Sequence, residues 1–383
     1  MSASSLPRLR PLELTAGEKL RALHWPLLAL LAVLGLIGYA MLYSAAGGSH
    51  GPWAWRHGLR LALGFPLMVA VAMVDPRYWF RLSYLAYGAV LALLVGVDVL
   101  GEISKGAQRW LDLGVLQLQP SELMKVAMVM ALGRYFHAAY LEDLRRPLVL
   151  LPALLLILLP CALVLVQPDL GTAATLLISG TALLFMAGVR IWKFVAVGLA
   201  GAAALPVLWA HLHAYQRQRV FTFLDPESDP LGSGYHIIQS KIALGAGGLW
   251  GQGYLHGSQA QLSFLPEKHT DFAFTMLAEE LGFVGAVAVL TLFLAAILLG
   301  LVVALRAPSQ YGRLLAAGVV LNLFIYVAIN ISMVTGLIPV VGVPLPLISY
   351  GGTAMLTLVL SLGLLLSVDV HRHVGIPRFP VDL

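Results

Sequence analysis

Cysteine and charge are what this 383-residue chain has least of. Its single cysteine, Cys161, lies in an apolar run, so neither an intrachain disulfide nor a cysteine metal cluster can form. Only 11% of the residues are charged, where a soluble domain carries roughly 25%. With 59% hydrophobic residues and a mean hydropathy of +0.86, the sequence reads as a polytopic membrane protein. The glycine-rich stretch at 245–253 is followed by no Gly-Lys-Ser/Thr and preceded by no strand, which leaves a flexible turn rather than a phosphate loop. Zinc signatures and a nucleophile elbow are missing, so His269 and Asp271 make no serine-hydrolase triad. The first 24 residues lack a short apolar core with a cleavage site, and the run that follows reads as an uncleaved first span.

What the chain has in abundance is apolar runs near the length of a bilayer crossing. These predict an all-α integral membrane fold with ten spans, over 25–46, 58–74, 82–100, 120–135, 147–167, 170–187, 191–210, 272–303, 312–335 and 350–368. A helical bundle satisfies every backbone group inside lipid. Alternating the loops puts most Lys and Arg on one side, from Arg8, Arg10, Lys19 and Arg21 before the first span to Arg372 and Arg378 after the last. Cytoplasmic loops collect cations, so both termini are cytoplasmic and the 211–271 loop between spans seven and eight faces outward. The same rule accounts for the net charge of +5 without any nucleic-acid partner. The reading is one polytopic domain over 1–383 that contains this large outward loop.

Polar residues at membrane depth are costly, and they concentrate on the outward side. FLPEKHTD at 264–271 brings Glu267, Lys268, His269 and Asp271 to the entrance of an apolar helix, where half-desolvated acids acquire shifted proton affinity. Within the loop, 235–244 has helical apolar spacing and suits the interface. Span four opens PSELMK, with Glu122 and Lys125 on one face, and each unpaired charge would cost ~3 kcal/mol on insertion. They should pair and face a protein or water-filled interior; the bland reading is a structural ion pair. Trp110 and Arg109 precede that span in a segment whose alternation suits an extended strand on the outer leaflet, where the default roles are interfacial anchor and snorkelling cation. Asp169 of QPDLGT is placed to cap a helix. At least one of Glu279 and Glu280 should face inward. The uncharged Pro- and Gly-rich loop at 336–352 is tolerated at membrane depth only where it is buried or lines a cavity.

These parts suit group transfer from a lipid phosphate. The cations Arg56, Arg109, Lys125, Arg219 and Lys268 would neutralise a pyrophosphate leaving group, and Asp271 would deprotonate an attacking hydroxyl, with His269 as a competing base. No motif calls for a cofactor. Asp271, Glu267 and His269 match no metal-site spacing, and a divalent cation, magnesium or manganese, bridging the pyrophosphate stays open.

QPSELMK, QPDLGT, FLPEKHTDFAF and GLIPVVGVPLPLISYGG resemble, in order, the motifs of the SEDS family (shape, elongation, division and sporulation), and they run through nearly the whole chain. ISKGAQRWLDLG and the valine form of the Pro-rich loop are more similar to its elongation branch than to its division branch. The resemblance implies a ten-span inverting peptidoglycan glycosyltransferase in the bacterial inner membrane, polymerising lipid II into β-1,4-linked strands at the outer face and releasing undecaprenyl pyrophosphate. It implies Asp271 as the essential acid, Trp110 as a required aromatic, and Glu122 with Lys125 lining a central cavity. Arg109 falls within its motif, whereas Arg56 and Arg219 lie in less distinctive sequence. Implied partners are a class B penicillin-binding protein transpeptidase and other membrane proteins of the elongation complex. The rival readings are a flippase for the lipid-linked precursor and a membrane scaffold for the transpeptidase.

Overall fold

The computed structural model describes residues 14–378 except 101, 105–106, 113–116, 141, 212–216, 218–220, 229–232, 263 and 266. A short α1 (Ala16–Ala22) precedes the predicted apolar segments, which helices occupy: α2 (Trp25–Ala45), α3 (Ala54–Met73), α4 (Pro76–Leu100), α5 (Pro120–Ala138), α6 (Pro147–Val166), α7 (Leu170–Met186) and α8 (Ile191–His211). Then come α9 (Ser233–Ala246), α10 (Ser258–Gln261), α11 (Ala273–Arg306), α12 (Gln310–Val334) and α13 (Gly352–Val370). By length and composition, six of these are long and apolar enough to cross a membrane: α2, α4, α6, α11, α12 and α13. The helix ends are set locally. Thr15 and Glu18 form a capping box before α1, Pro120 opens α5, and Ser309 accepts from the Gly312 amide at the start of α12.

The helices pack around α12, which touches α5, α7, α9, α11 and α13. In α12 and α13, 67% and 78% of the apolar stretch is buried, against 28% in α4, so the bundle has an inner layer and an outer one. α5 is buried on nearly every face in spite of Glu122 and Lys125. Its packing against both α4 and α12 places those charges inside the protein.

Two features depart from the expectations. The segment before α5 is a small antiparallel sheet, β1 (Glu102–Ser104), β2 (Ala107–Asp112) and β3 (Gln117–Leu118), so the fold is helical with one three-stranded hairpin layer. Alternation predicted extended chain there but not its pairing. The glycine-rich stretch after α9 is not a free turn. α11 is broken at Gly282 (φ 70°, ψ −171°), and the loop fills the break with backbone hydrogen bonds. Gln252 and Gly253 donate to the Glu279 and Glu280 carbonyls at 3.0 and 3.1 Å, while Phe283 and Val284 donate to Gly248 and Leu249 at 2.9 and 3.1 Å. Backbone groups that helix breakage would strand are thus satisfied. The approach is close enough that a β-carbon at Gly251 would lie 2.1 Å from the Glu280 carbonyl oxygen. Both glutamates are buried, Glu280 hydrogen-bonded by Ser44 at 2.5 Å and Glu279 by the Gln259 amide at 2.7 Å.

Candidate active site

A cavity of about 690 Å³ opens where β2, the N-terminal turns of α5, α7 and α13, the first turns of α3 and the 336–352 loop converge. It brings together Asp271, Arg56, Arg109, Trp110, Glu122 and Lys125 from segments far apart in the chain. Lys268 does not line it, and Arg219 lies outside the described residues. The 336–352 loop contributes Val340 to Pro344 and Tyr350 to Gly352, and so lines a cavity as irregular chain at this depth must.

The charges on the cavity wall fall into two groups. Lys125 is 2.7 Å from Glu122, with side chains 4% and 7% exposed. The Tyr326 hydroxyl completes a triangle by donating to the other Glu122 oxygen and accepting from Lys125. Arg109 is 3.6 Å from Asp169 and donates to the Gln167 carbonyl, so it is held in place rather than snorkelling. Asp169 also caps α7 as expected, accepting from the Thr172 amide at 3.1 Å. Arg56 and Arg60 form the second group. They lie one helical turn apart on α3, and among the described residues neither has a carboxylate partner. Arg60 donates to the Tyr350 hydroxyl at 3.3 Å and lies 4.5 Å from its ring centroid.

Asp271 sits just before α11. Its carbonyl accepts from the Asn330 amide nitrogen at 2.9 Å, and the same nitrogen donates to the Val343 carbonyl at 2.7 Å. Gly342, at φ +70°, turns the loop so that a β-carbon there would be 3.5 Å from the Asp271 carboxyl. Thr270 lines the cavity beside Asp271, whereas Glu267, Lys268 and His269 are turned elsewhere. His269 stacks on Trp53 with ring centroids 4.3 Å apart, and its carbonyl accepts from the Tyr350 amide at 2.8 Å. Glu267 accepts from the Thr270 hydroxyl at 2.9 Å within the turn. Neither His269 nor Glu267 lines the cavity. Lys268, assigned to substrate on sequence grounds, is half-buried, which pulls its proton affinity down while the Glu280 carboxylate opposes that shift. Three acids line the cavity, Glu122, Asp169 and Asp271. Among the described residues no group of three or more His, Cys, Asp and Glu side chains could hold a metal ion.

Residues 21–374 match the profile of the FtsW, RodA and SpoVE cell cycle proteins. The chain belongs to the FtsW/RodA/SpoVE family. It is 48% identical over 347 residues to the peptidoglycan glycosyltransferase MrdB of Escherichia coli (strain K12), covering 90% of this chain and 93% of that one. It is 37% identical over 359 residues to the stage V sporulation protein E of Bacillus subtilis (strain 168), covering 91% and 97%. Among solved structures it is similar to a chain from a peptidoglycan synthase complex that coordinates polymerization and crosslinking, with a TM-score of 0.80, 34% identity and coverage of 92% and 98%. The rod shape determining protein RodA of Thermus thermophilus superposes with a TM-score of 0.70 at 30% identity, covering 92% and 98%.

In this FtsW/RodA/SpoVE chain the sequence reading passed over Arg60, Tyr326, Asn330 and Tyr350. Arg60 carries a signal, since it falls one turn after Arg56 on the same helix face. Asn322, Tyr326 and Asn330 recur every fourth residue along α12, a polar stripe in a mostly apolar helix. Asn322 accepts from Ser179 of α7 at 2.6 Å, Tyr326 engages α5, and Asn330 engages Asp271.

Proposed function

We propose that this chain is a peptidoglycan glycosyltransferase of the cell-elongation machinery, polymerising lipid II into β-1,4-linked glycan strands. One observation carries the reading: the carboxyl-bearing Asp271 shares one cavity with two guanidiniums that have no carboxylate partner among the described residues. A cavity with that charge pattern fits a substrate that brings a proton to be removed and a polyanion to be neutralised. The sugar 4-hydroxyl of one unit attacks the anomeric carbon of another and the carbon–oxygen bond to the pyrophosphate breaks with inversion. Asp271 takes the hydroxyl proton, and the electron pair leaves on undecaprenyl pyrophosphate. A well-placed general base contributes about 10²–10⁴-fold. Arg56 receives the pyrophosphate, Arg109 and Trp110 border its path, and the Lys125–Glu122 pair orients the sugar. Lys268 lies off the cavity and supports the site through the fold.

The chain is a single domain over 1–383 that crosses the bacterial inner membrane ten times, with both termini cytoplasmic and the 211–271 loop and cavity facing outward. The excess of Lys and Arg in the alternate loops supports this topology. Its partner is a class B penicillin-binding protein transpeptidase within a larger elongation complex. The similarity to a chain of a synthase complex that couples polymerization to crosslinking supports that assembly.

Purified protein with its transpeptidase partner, given lipid II, makes glycan strands. Asp271→Asn folds and binds the partner but makes none; undiminished polymer from that variant refutes the assignment. A flippase would move lipid II between leaflets and leave it unpolymerised in the same assay.

A further inference from the structure

Asn330 does not line the cavity, yet it is fully buried and both of its amide hydrogens are spent on two carbonyls that matter to it. One belongs to Asp271, the other to Val343, beside the Gly342 turn that faces the acid's carboxyl. The orientation of the amide follows from these partners, since the flipped rotamer would set its oxygen against two carbonyl oxygens. A second strut, from the Tyr350 amide to the His269 carbonyl, joins the far end of the loop to the same short segment. The 336–352 loop and residues 269–271 are therefore bound at two points.

The anchor of this unit is α12. One turn before Asn330, about 6 Å along the helix, Tyr326 is bonded to both Glu122 and Lys125. A single rigid helix face thus carries the group that holds the acid and the group that holds the buried ion pair. The N-terminus of α11 supplies no such control, because Phe272 makes no side-chain cap there.

We propose that Asn330 is a positioning residue for the transfer reaction: its amide holds the main chain of Asp271 against the Gly342 turn and sets the acid's place relative to Lys125 and Glu122. The proposal rests on Asp271 being the reacting acid. Asn330 touches no substrate and acts only through the acid it places.

The experiment compares Asn330→Ala, Asn330→Asp and Asp271→Asn with the unaltered protein, all in complex with the transpeptidase partner. Lipid II binding is measured for stoichiometry and Kd without turnover, and kcat and KM by strand synthesis per lipid II site. Loss of two hydrogen bonds lowers kcat about ten- to a hundred-fold in Asn330→Ala, with binding stoichiometry, Kd and KM unchanged. Asn330→Asp has nearly the same shape but offers a carboxylate to two carbonyls, so its kcat falls at least as far. If Asn330→Asp turns over like the unaltered protein, Asn330 fills space only and the proposal is overturned. A loss of bulk strand synthesis that disappears when expressed per lipid II site overturns it too, since it reports unfolding alone. An active Asp271→Asn removes the reading of the acid and the proposal with it, whereas an inactive Asp271→Asn beside a fully active Asn330→Asp removes the proposal alone.

Discussion

Removing Lys125 and Glu122 one at a time and then together separates their part in the fold from their part in the chemistry. Lys125→Met strands a carboxylate that is 7% exposed, and Glu122→Gln strands an ammonium that is 4% exposed. Breaking a buried pair from one side costs ~3–5 kcal/mol. The Tyr326 hydroxyl remains beside whichever charge is left, and a hydrogen bond to a charged group contributes ~1.5–3 kcal/mol, so each single loss should lie near the lower end, about 3 kcal/mol. The double variant buries no charge. It should be about 3 kcal/mol more stable than either single variant, because replacing a whole buried pair by neutral groups of similar size is nearly neutral. Unfolding in detergent gives the stabilities, and lipid II polymerisation gives the activity. The expected pattern is recovered stability with no recovered polymerisation. Additive losses in the double variant refute the coupling of the pair, and wild-type polymerisation by it refutes any role in the reaction.

Arg56→Gln and Arg60→Gln should each raise KM for lipid II about tenfold or more, because each deletes a charge-assisted contact to phosphate. Arg109→Gln should instead lower the unfolding midpoint, since Asp169 loses its cation; the reverse ranking in steady-state and melting data contradicts this division of labour. Lys268 has its folded-state proton affinity lowered by burial, so as pH climbs toward about 10.4 the unfolded chain holds the extra proton and stability rises. Melting curves of Lys268→Met should lack that alkaline rise. Gly251→Ala drives a methyl into the Glu280 carbonyl and should detach the loop from α11, seen as faster proteolysis at 247–253 and a lower midpoint.

The sequence spoke most clearly where charge breaks an apolar run. Glu122, Lys125 and Asp271 each stand out against their surroundings, and all three line the cavity. Tyr326 and Asn330 do not stand out, because one hydroxyl or amide in a span has no meaning until its partner on another helix is known. The misplacing of Lys268 has a local cause. Neighbouring residues of a turn point in different directions, and in 267–271 that turn is closed by Thr270 on Glu267, with His269 drawn onto Trp53. The glycines at 247–253 were visible, but nothing nearby in sequence reveals that they lie against a break in α11. Likewise the alternation before α5 predicted extended chain without specifying the register of β1, β2 and β3.

An unbroken Ala273–Arg306 would be a rod about 51 Å long, far beyond the ~30 Å of a bilayer's hydrocarbon. The interruption at Gly282 cuts it to a lower shaft over 283–306, about 36 Å long and sufficient to cross alone. The short piece before the break, bearing Glu279 and Glu280 with Asp271 just ahead, and the first residues of the shaft, Phe283 and Val284, are both bonded by their backbones to the glycine loop. Mechanically, the loop is a splice that couples the acid's segment to the shaft across the break. A pull on that loop is therefore shared between the segment that carries Asp271 and the membrane-crossing shaft.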